Sequence, residues 1–258
     1  MKSLHRAIDL LASFQTHARL SVGEMAGIMK WPKSSVYRFV RILRERGLLS
    51  LDPQSKKYRL GPLIYQLGRT GGPDLSQIAQ PALERLMKES GESSFLSVRS
   101  GWETRYAACV ESPERIHFTA PLGKAVPLYA GASARAILAF MEEKEQGRYL
   151  RSVRLKRFCT ATIQDKKKLE QSLLLIRRRG YAFTQEELYR GAWGLAAPIL
   201  DEDGVAIASL AITGVKFRPP QKRLRQFISM IREAAQEVSE KLTKSNALET
   251  PKSQRTGS

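Results

Sequence analysis

Residues 21–60 constrain the fold more than any other part of the chain, because they combine two short amphipathic helices, a tight turn and a basic hairpin. Ser21 and Glu24 have the spacing of a capping box, which begins the first helix. Pro32 suits the first turn of the second helix, and Gly47 suits the position just past its end. A strand, a turn and a second strand follow. This order predicts a winged helix-turn-helix that binds double-stranded DNA.

Basic and hydroxyl side chains share the face of the second helix that lies opposite its apolar stripe. Small hydroxyl groups allow close approach to a DNA groove, and arginines reach guanine edges or phosphates. The hairpin cations would lie beside the backbone or the adjacent minor groove. The predicted DNA-contacting residues are Lys33, Ser34, Ser35, Tyr37, Arg38, Arg41, Arg44, Lys56, Lys57 and Arg59. A merely solvated basic face is the alternative, and the neighbouring cap, glycine stop and hairpin weigh against it.

The charge balance also favours a polyanionic partner. The net charge is +18 over 258 residues, and cations set against phosphates release counterions. Residues 1–70 contain 13 lysines and arginines against 4 acidic residues, so they hold half of the excess in about a quarter of the chain. The charge balance also allows the alternative of a structural, nucleoid-type protein that binds DNA without sequence preference.

Enzyme, metal and cofactor chemistry finds little support. His5, His17 and His117 are scattered, and the two cysteines form neither a disulfide framework nor a zinc motif. No glycine-rich phosphate loop or nucleophile elbow is present. The paired Glu186-Glu187 is the remaining candidate for catalytic carboxylates. No cofactor is predicted. The sequence has neither a signal peptide nor a membrane-spanning stretch, which favours a cytoplasmic protein.

Pattern changes along the chain predict its organisation. We expect a winged helix-turn-helix over 1–60, a linker helix region over 61–90, an effector-binding and oligomerisation domain over 91–243, and a disordered tail over 244–258. The second domain mixes short strands with helices at 132–143, 166–179 and 221–243. In the helix that precedes this domain, Pro81 should cause a kink or a restart. The fold class is therefore α+β, with an antiparallel sheet and packed helices.

Motifs over nearly the whole chain resemble the IclR family of bacterial transcription regulators. The first part is similar through Trp31-Pro32-Lys33-Ser34-Ser35-Val36-Tyr37-Arg38, Arg46-Gly47-Leu48-Leu49 and Tyr58-Arg59-Leu60-Gly61. The second part is similar through Pro127-Leu128-Tyr129-Ala130, Thr160-Ala161-Thr162-Ile163, Gly180-Tyr181-Ala182, Glu186-Glu187, Gly191 and Leu195-Ala196-Ala197-Pro198-Ile199.

The resemblance implies a dimeric or tetrameric repressor or activator whose GAF-like (profilin-like) second domain binds a small organic acid. It implies effector contacts from Phe118, Val126, Ala132, Ser133, Thr184, Gly194, Ala211 and Thr213. Backbone amides at the start of the helix at 132 would suit a carboxylate. A dimer would prefer a pseudo-palindromic operator. No membrane partner is expected.

The chain departs from the family pattern at several of these positions. It has Thr184, Gly194 and Ala211 where relatives often place Asp, Cys and Ser, and Ala134-Arg135 where Gly-Lys is usual. Smaller groups leave more room and fewer hydrogen-bond partners, so we expect an effector that is bulkier than a two- or three-carbon acid, such as an aromatic or branched acid. A degenerate pocket that serves only oligomerisation is the alternative.

Overall fold

The computed structural model describes residues 2–15, 17–69, 74–216 and 222–249. The chain divides into two compact units, residues 1–72 and residues 73–258, and each is described by itself. The elements of the first unit are α1 (Lys2–Ala12), α2 (Val22–Met29), α3 (Lys33–Glu45), β1 (Leu49–Leu51), β2 (Tyr58–Leu60) and α4 (Pro62–Arg69).

The first unit is built around one apolar core to which α1, α2, α3 and the hairpin all contribute. Met25, Val36 and Leu49 are fully or almost fully buried there. A bridge between Leu20 and Tyr58 joins the segment before α2 to the antiparallel pair of β1 and β2. The capping box at the start of α2 is present in both directions. The predicted winged helix-turn-helix is therefore confirmed.

The second unit is an antiparallel sheet with helices on both faces. Its strands are β3 (Ser93–Ser100), β4 (Glu103–Val110), β5 (Ala125–Pro127), β6 (Ala182–Gln185), β7 (Ala192–Leu200) and β8 (Ala206–Val215), in the order β5-β4-β3-β8-β7-β6. Its helices are α5 (Leu75–Ser90), α6 (Ala132–Ala139), α7 (Glu143–Ser152), α8 (Lys166–Arg179) and α9 (Leu224–Glu249). The predicted α+β class is confirmed.

Strict alternation along the central strands assigns each residue to one face of the sheet. On β7, Leu195 packs with α5 and α9 on one face, while Ala196 packs with α6 and α8 on the other. On β8, Leu210 and Ala211 are divided in the same way. Gly194 shares a face with Ala196, so it lies on the side of the sheet that α6 covers.

Several elements differ from the sequence-based expectation. Helix α5 continues through Pro81 without a restart. Helix α7 was not predicted. It is strongly polar and only Tyr149 is buried, so its sequence has no helical periodicity of apolar residues. Helix α9 extends to Glu249 instead of ending at 243. Residues 217–221 and 250–258 lie outside the described residues. The expected domain limits remain a proposal, although α5 packs on the sheet of the second unit.

Among the described residues, no helix is both long enough and apolar enough to cross a membrane.

Candidate functional site

Helix α3 presents the predicted DNA-reading face to solvent. Val36, Val40 and Leu43 are buried on its inner side. The outward residues Lys33, Ser34, Tyr37, Arg38, Arg41 and Arg44 are exposed, and Ser35 is half-buried. Pro32 occupies the N-cap position, and Gly47 has a φ of +72° just past the C-cap. Because glycine adopts this conformation readily, the chain can turn sharply into β1.

Most cations on this face have no carboxylate to neutralise them. Within the described part of the chain, Lys33, Arg38 and Arg44 form no ion pair, whereas Arg41 lies 3.7 Å from Glu45. Both side chains of that ion pair are exposed to solvent, so the pair holds Arg41 only weakly. The helix therefore offers free guanidinium groups, which suit guanine edges and phosphate oxygens.

The wing differs from the prediction in how it holds its cations. Lys56 and Arg59 are exposed, but Lys57 is half-buried and its Nζ lies 2.7 Å from Oε1 of Glu24. This ion pair and the Ser21 amide lower the pKa of Glu24 to about 2. Lys57 therefore ties the wing to the start of α2 and is less free to bind phosphate than Lys56.

A cavity of about 40 Å³ that is partly open to solvent lies between α6, the sheet and the loop at 186–191. Seven of the eight predicted effector residues line it: Phe118, Val126, Ala132, Ser133, Thr184, Gly194 and Thr213. Ala211 does not. It lies two residues from Thr213 along β8, under α6 in the apolar core.

Three neighbouring strands form the polar floor of this cavity. Thr184, Gly194 and Thr213 are paired across β6, β7 and β8. A methyl group at Gly194 would lie 3.7 and 3.8 Å from the two threonine hydroxyls. Thr184 is only 6% exposed and Thr213 is half-buried, and neither hydroxyl forms a hydrogen bond with another described residue. Neither hydroxyl is among the fully buried polar atoms without a partner, so both remain accessible to a polar ligand in the cavity.

The start of α6 faces the same cavity. Gly131 is the N-cap residue with no side-chain cap, and its φ is +83°. The first amides of a helix lack partners within the helix, and those of Ala132 and Ser133 belong to residues that line the cavity. These amides and the threonine hydroxyls together can donate hydrogen bonds to a carboxylate.

Aromatic residues on the opposite wall were not predicted, apart from Phe118. The Phe118 ring centre lies 5.1 Å from Tyr189 and 5.6 Å from Phe95, and Phe95 lies 5.2 Å from Tyr106. Burial raises the pKa of Tyr106, so its hydroxyl stays protonated. Sequence spacing could not reveal this wall, because Tyr106, Phe118 and Tyr189 come from one strand and two separate loops. The fully buried Phe95 packs against two of these rings and does not line the cavity.

A buried ion pair fixes the loop over the cavity. Arg135 of α6 is 4% exposed and donates to Oε1 of Glu187 at 2.5 Å and to Ser172 Oγ at 2.8 Å. Burial raises the pKa of Glu187, and Arg135 opposes that rise. The Thr162 hydroxyl also donates to the Glu187 carbonyl. Glu187 thus has a structural partner.

The loop is fixed at its other end as well. Glu186 accepts from Lys216 Nζ at 2.5 Å and from the Gly191 amide at 3.0 Å. Both contacts lower the pKa of Glu186. The two carboxylates considered for catalysis therefore hold the loop in place. In the part of the chain that the structure describes, no three His, Cys, Asp or Glu side chains form a group that could hold a metal ion.

Family models match both units. The model for the IclR helix-turn-helix domain matches residues 3–53, and the model for the bacterial transcriptional regulator IclR C-terminal matches residues 70–240. The chain belongs to the IclR family. It is accordingly a transcriptional regulator with a DNA-binding helix-turn-helix, and it is not an enzyme.

Curated relatives extend over almost the full length of this IclR-family chain. It is 31% identical over 243 residues to the HTH-type transcriptional regulator KipR of Bacillus subtilis, covering 93% of this chain and 97% of KipR. It is 32% identical to BhcR of Paracoccus denitrificans, covering 93% of this chain and 86% of BhcR.

Solved structures share the fold. The Thermotoga maritima IclR structure superposes with a TM-score of 0.69 at 32% identity, covering 94% of this chain and 99% of that one. An IclR homologue from Microbacterium hydrocarbonoxydans in complex with 4-hydroxybenzoate superposes with a TM-score of 0.78 at 24% identity, with the same coverage.

Proposed function

We propose that this IclR-family protein is a cytoplasmic repressor or activator that binds a pseudo-palindromic operator as a homodimer or homotetramer. A small organic acid in the cavity of the second unit would change its operator affinity. Such coupling requires that the acid bind the DNA-competent and DNA-incompetent states with different affinities. The α3 face and the wing cations, with Lys56 and Arg59 exposed, would contact the operator.

The observation that carries the effector proposal is the floor of the cavity. Thr184 and Thr213 direct unpartnered hydroxyls toward the same space as the first amides of α6. Each hydroxyl can donate a hydrogen bond to a ligand in that space. A carboxylate would satisfy them together.

The shape of the cavity supports an aromatic or branched acid. Gly194 removes a side chain from the floor, since a methyl group there would lie 3.4 Å from Cβ of Ala132. The Tyr106 and Phe118 rings form an apolar wall that can stack against an aromatic ring. Ligand sites are usually several hundred Å³, so this cavity of about 40 Å³ would have to widen to hold such an acid.

Calorimetry on the full chain tests this proposal, with 4-hydroxybenzoate, pyruvate and glyoxylate as probes. We expect 4-hydroxybenzoate to bind more tightly than either small acid. Thr184→Val should weaken its binding by about tenfold, because one hydrogen bond to a charged group is lost. Thr160→Val, at an exposed position outside the cavity, is the matched control and should change nothing.

Two results would contradict the proposal in different ways. Tight binding of pyruvate or glyoxylate without binding of the aromatic acid would refute the size argument. Binding of none of the acids, by a protein that still oligomerises, would favour a degenerate pocket. Operator binding is tested separately, by whether a shifted band of upstream intergenic DNA survives an excess of random DNA. Loss of that band would favour either a non-specific binder or an operator elsewhere in the genome, and genome-wide selection of bound sites would separate the two.

A further inference from the structure

The second unit concentrates its entire charge excess in one segment. Residues 148–179 contain 11 lysines and arginines against 2 acidic residues, whereas the rest of 71–258 contains 19 of each. A general requirement for solubility would distribute cations over the whole surface. The segment comprises the end of α7, the following loop and α8, so the excess belongs to one place in the fold.

Hydrogen bonds bring the two halves of this segment together. Lys166 Nζ, at the start of α8, donates to the Arg151 carbonyl near the end of α7 at 2.8 Å. At the other end of the pair, Arg177 lies 4.0 Å from Glu143. The two helices therefore run antiparallel, and the end of α7 adjoins the start of α8.

Six exposed cations cluster at this junction, and we call them the α7–α8 basic surface. They are Arg148, Arg151, Arg154, Lys166, Lys167 and Lys168. Within the described residues, none of the six forms an ion pair with a carboxylate. Elsewhere in the second unit, exposed cations such as Arg85 and Lys241 pair with Glu237.

The three lysines occupy a position that helix stability disfavours. The start of a helix carries partial positive charge, so cations there are unfavourable and acidic residues are preferred. The first turn of α8 nevertheless has Lys166, Lys167 and Lys168 and no acidic residue after the N-cap Asp165. A local conflict of this kind is characteristic of a functional surface. In contrast, Arg177–Arg179 at the end of α8 are explained by the helix dipole.

We propose that the α7–α8 basic surface is a second contact with double-stranded DNA, separate from the helix-turn-helix. Duplex DNA carries a phosphate charge for about every 1.7 Å of its axis, which matches a dense group of unpaired cations. Exposed lysines bind phosphates without reading bases, so this contact adds affinity and salt dependence to binding, without sequence preference.

The test compares two full-length variants that lose equal charge. Lys166→Gln/Lys167→Gln/Lys168→Gln removes three cations from the surface, and Lys88→Gln/Arg115→Gln/Arg225→Gln removes three exposed cations elsewhere in the second unit. Fluorescence anisotropy on a labelled mixed-sequence duplex, at several salt concentrations, gives the slope of log K against log salt. Arginine replacements at 166–168 should preserve binding, because they preserve charge.

We expect the first variant to lose about 0.9 in slope for each phosphate contact removed, and about ten- to hundredfold in affinity at physiological salt. The control should change both quantities much less. Equal changes in the two variants would overturn the proposal, because they would reflect only the overall charge.

A second measurement needs no variant. Acetylation of the parent protein with and without saturating duplex DNA, read by mass spectrometry, reports the accessibility of each lysine. We expect DNA to protect Lys166–Lys168 and to leave Lys88 unprotected. Equal acetylation of Lys166–Lys168 in both samples would also overturn the proposal. Either result is independent of whether an acid binds the cavity.

Discussion

On α3, Arg38 and Arg44 project into solvent without a carboxylate partner, whereas beside the cavity the buried Arg135 is held by Glu187. An exposed charge keeps its hydration and costs folding little, so it remains available to a ligand. A buried charge must be paired, because desolvation is expensive. The two regions therefore differ in what a substitution disturbs: binding on α3 and folding at the cavity.

The largest expected effect would come from Arg135→Ala. It leaves the Glu187 carboxylate buried without its partner, which should lower the free energy of unfolding by about 3–5 kcal/mol. Denaturant unfolding measures this change. Arg177→Ala is the control, because its exposed pair with Glu143 should contribute less than about 1 kcal/mol. Similar losses in both variants would mean that burial does not distinguish the cavity from the surface.

Arg38→Ala tests the other side of the comparison. If Arg38 reads a base, discrimination between operator and random DNA should fall by about 1–3 kcal/mol. Thermal unfolding should be unchanged, because the side chain is exposed. Arg115→Ala, which removes an exposed arginine from the second unit, should leave discrimination intact. Unchanged discrimination in Arg38→Ala would show that the reading face has been assigned wrongly.

The wing allows a comparison between adjacent lysines. Lys56→Asn should lower the slope of log K against log salt by about 0.9 for one lost phosphate contact, and asparagine tolerates the φ of +53° at this position. Lys57→Ala should change the slope less, because Lys57 is already paired with Glu24. A larger change in slope for Lys57→Ala than for Lys56→Asn would show that DNA binding breaks the ion pair between Lys57 and Glu24.

The smallest effect concerns pH. The pKa of Glu24 falls from 4.5 to about 2 on folding, so its ionised form stabilises the folded unit. That contribution is fully present above pH 4.5 and is lost as the pH falls toward 2. Glu24→Gln, which keeps a capping-box residue, should flatten the pH dependence of unfolding in this window. An unaltered pH profile would assign the dependence to other carboxylates.

The same contrast explains what the sequence could predict. Helix α3 and the hairpin are specified by neighbouring signals, such as the capping box at Ser21 and the glycine at 47, so local patterns were sufficient. The cavity is assembled from distant segments. Seven of its residues could be named only through a family resemblance, and Tyr106 and Tyr189 were missed, because strand order and loop position decide what faces the same space.

Ala211 shows the limit of position-by-position transfer. It shares a face of the sheet with Thr213, as alternation requires, but α6 covers it and leaves Thr213 at the cavity. Only the placement of the helix over the sheet separates the two. The unpredicted α7 has a similar cause, because one buried tyrosine in a polar segment gives no periodic signal.

The tethered loop at 186–191 has a consequence for the timing of a regulatory response. Its ends are fixed through Glu186 to Lys216 and through Glu187 to Arg135, and the space beneath it is about 40 Å³. A ligand that enters only when this loop opens binds at a rate that levels off at the opening rate as its concentration rises. The opening rate of the loop, and not the effector concentration, would then set the upper limit on how fast the protein responds.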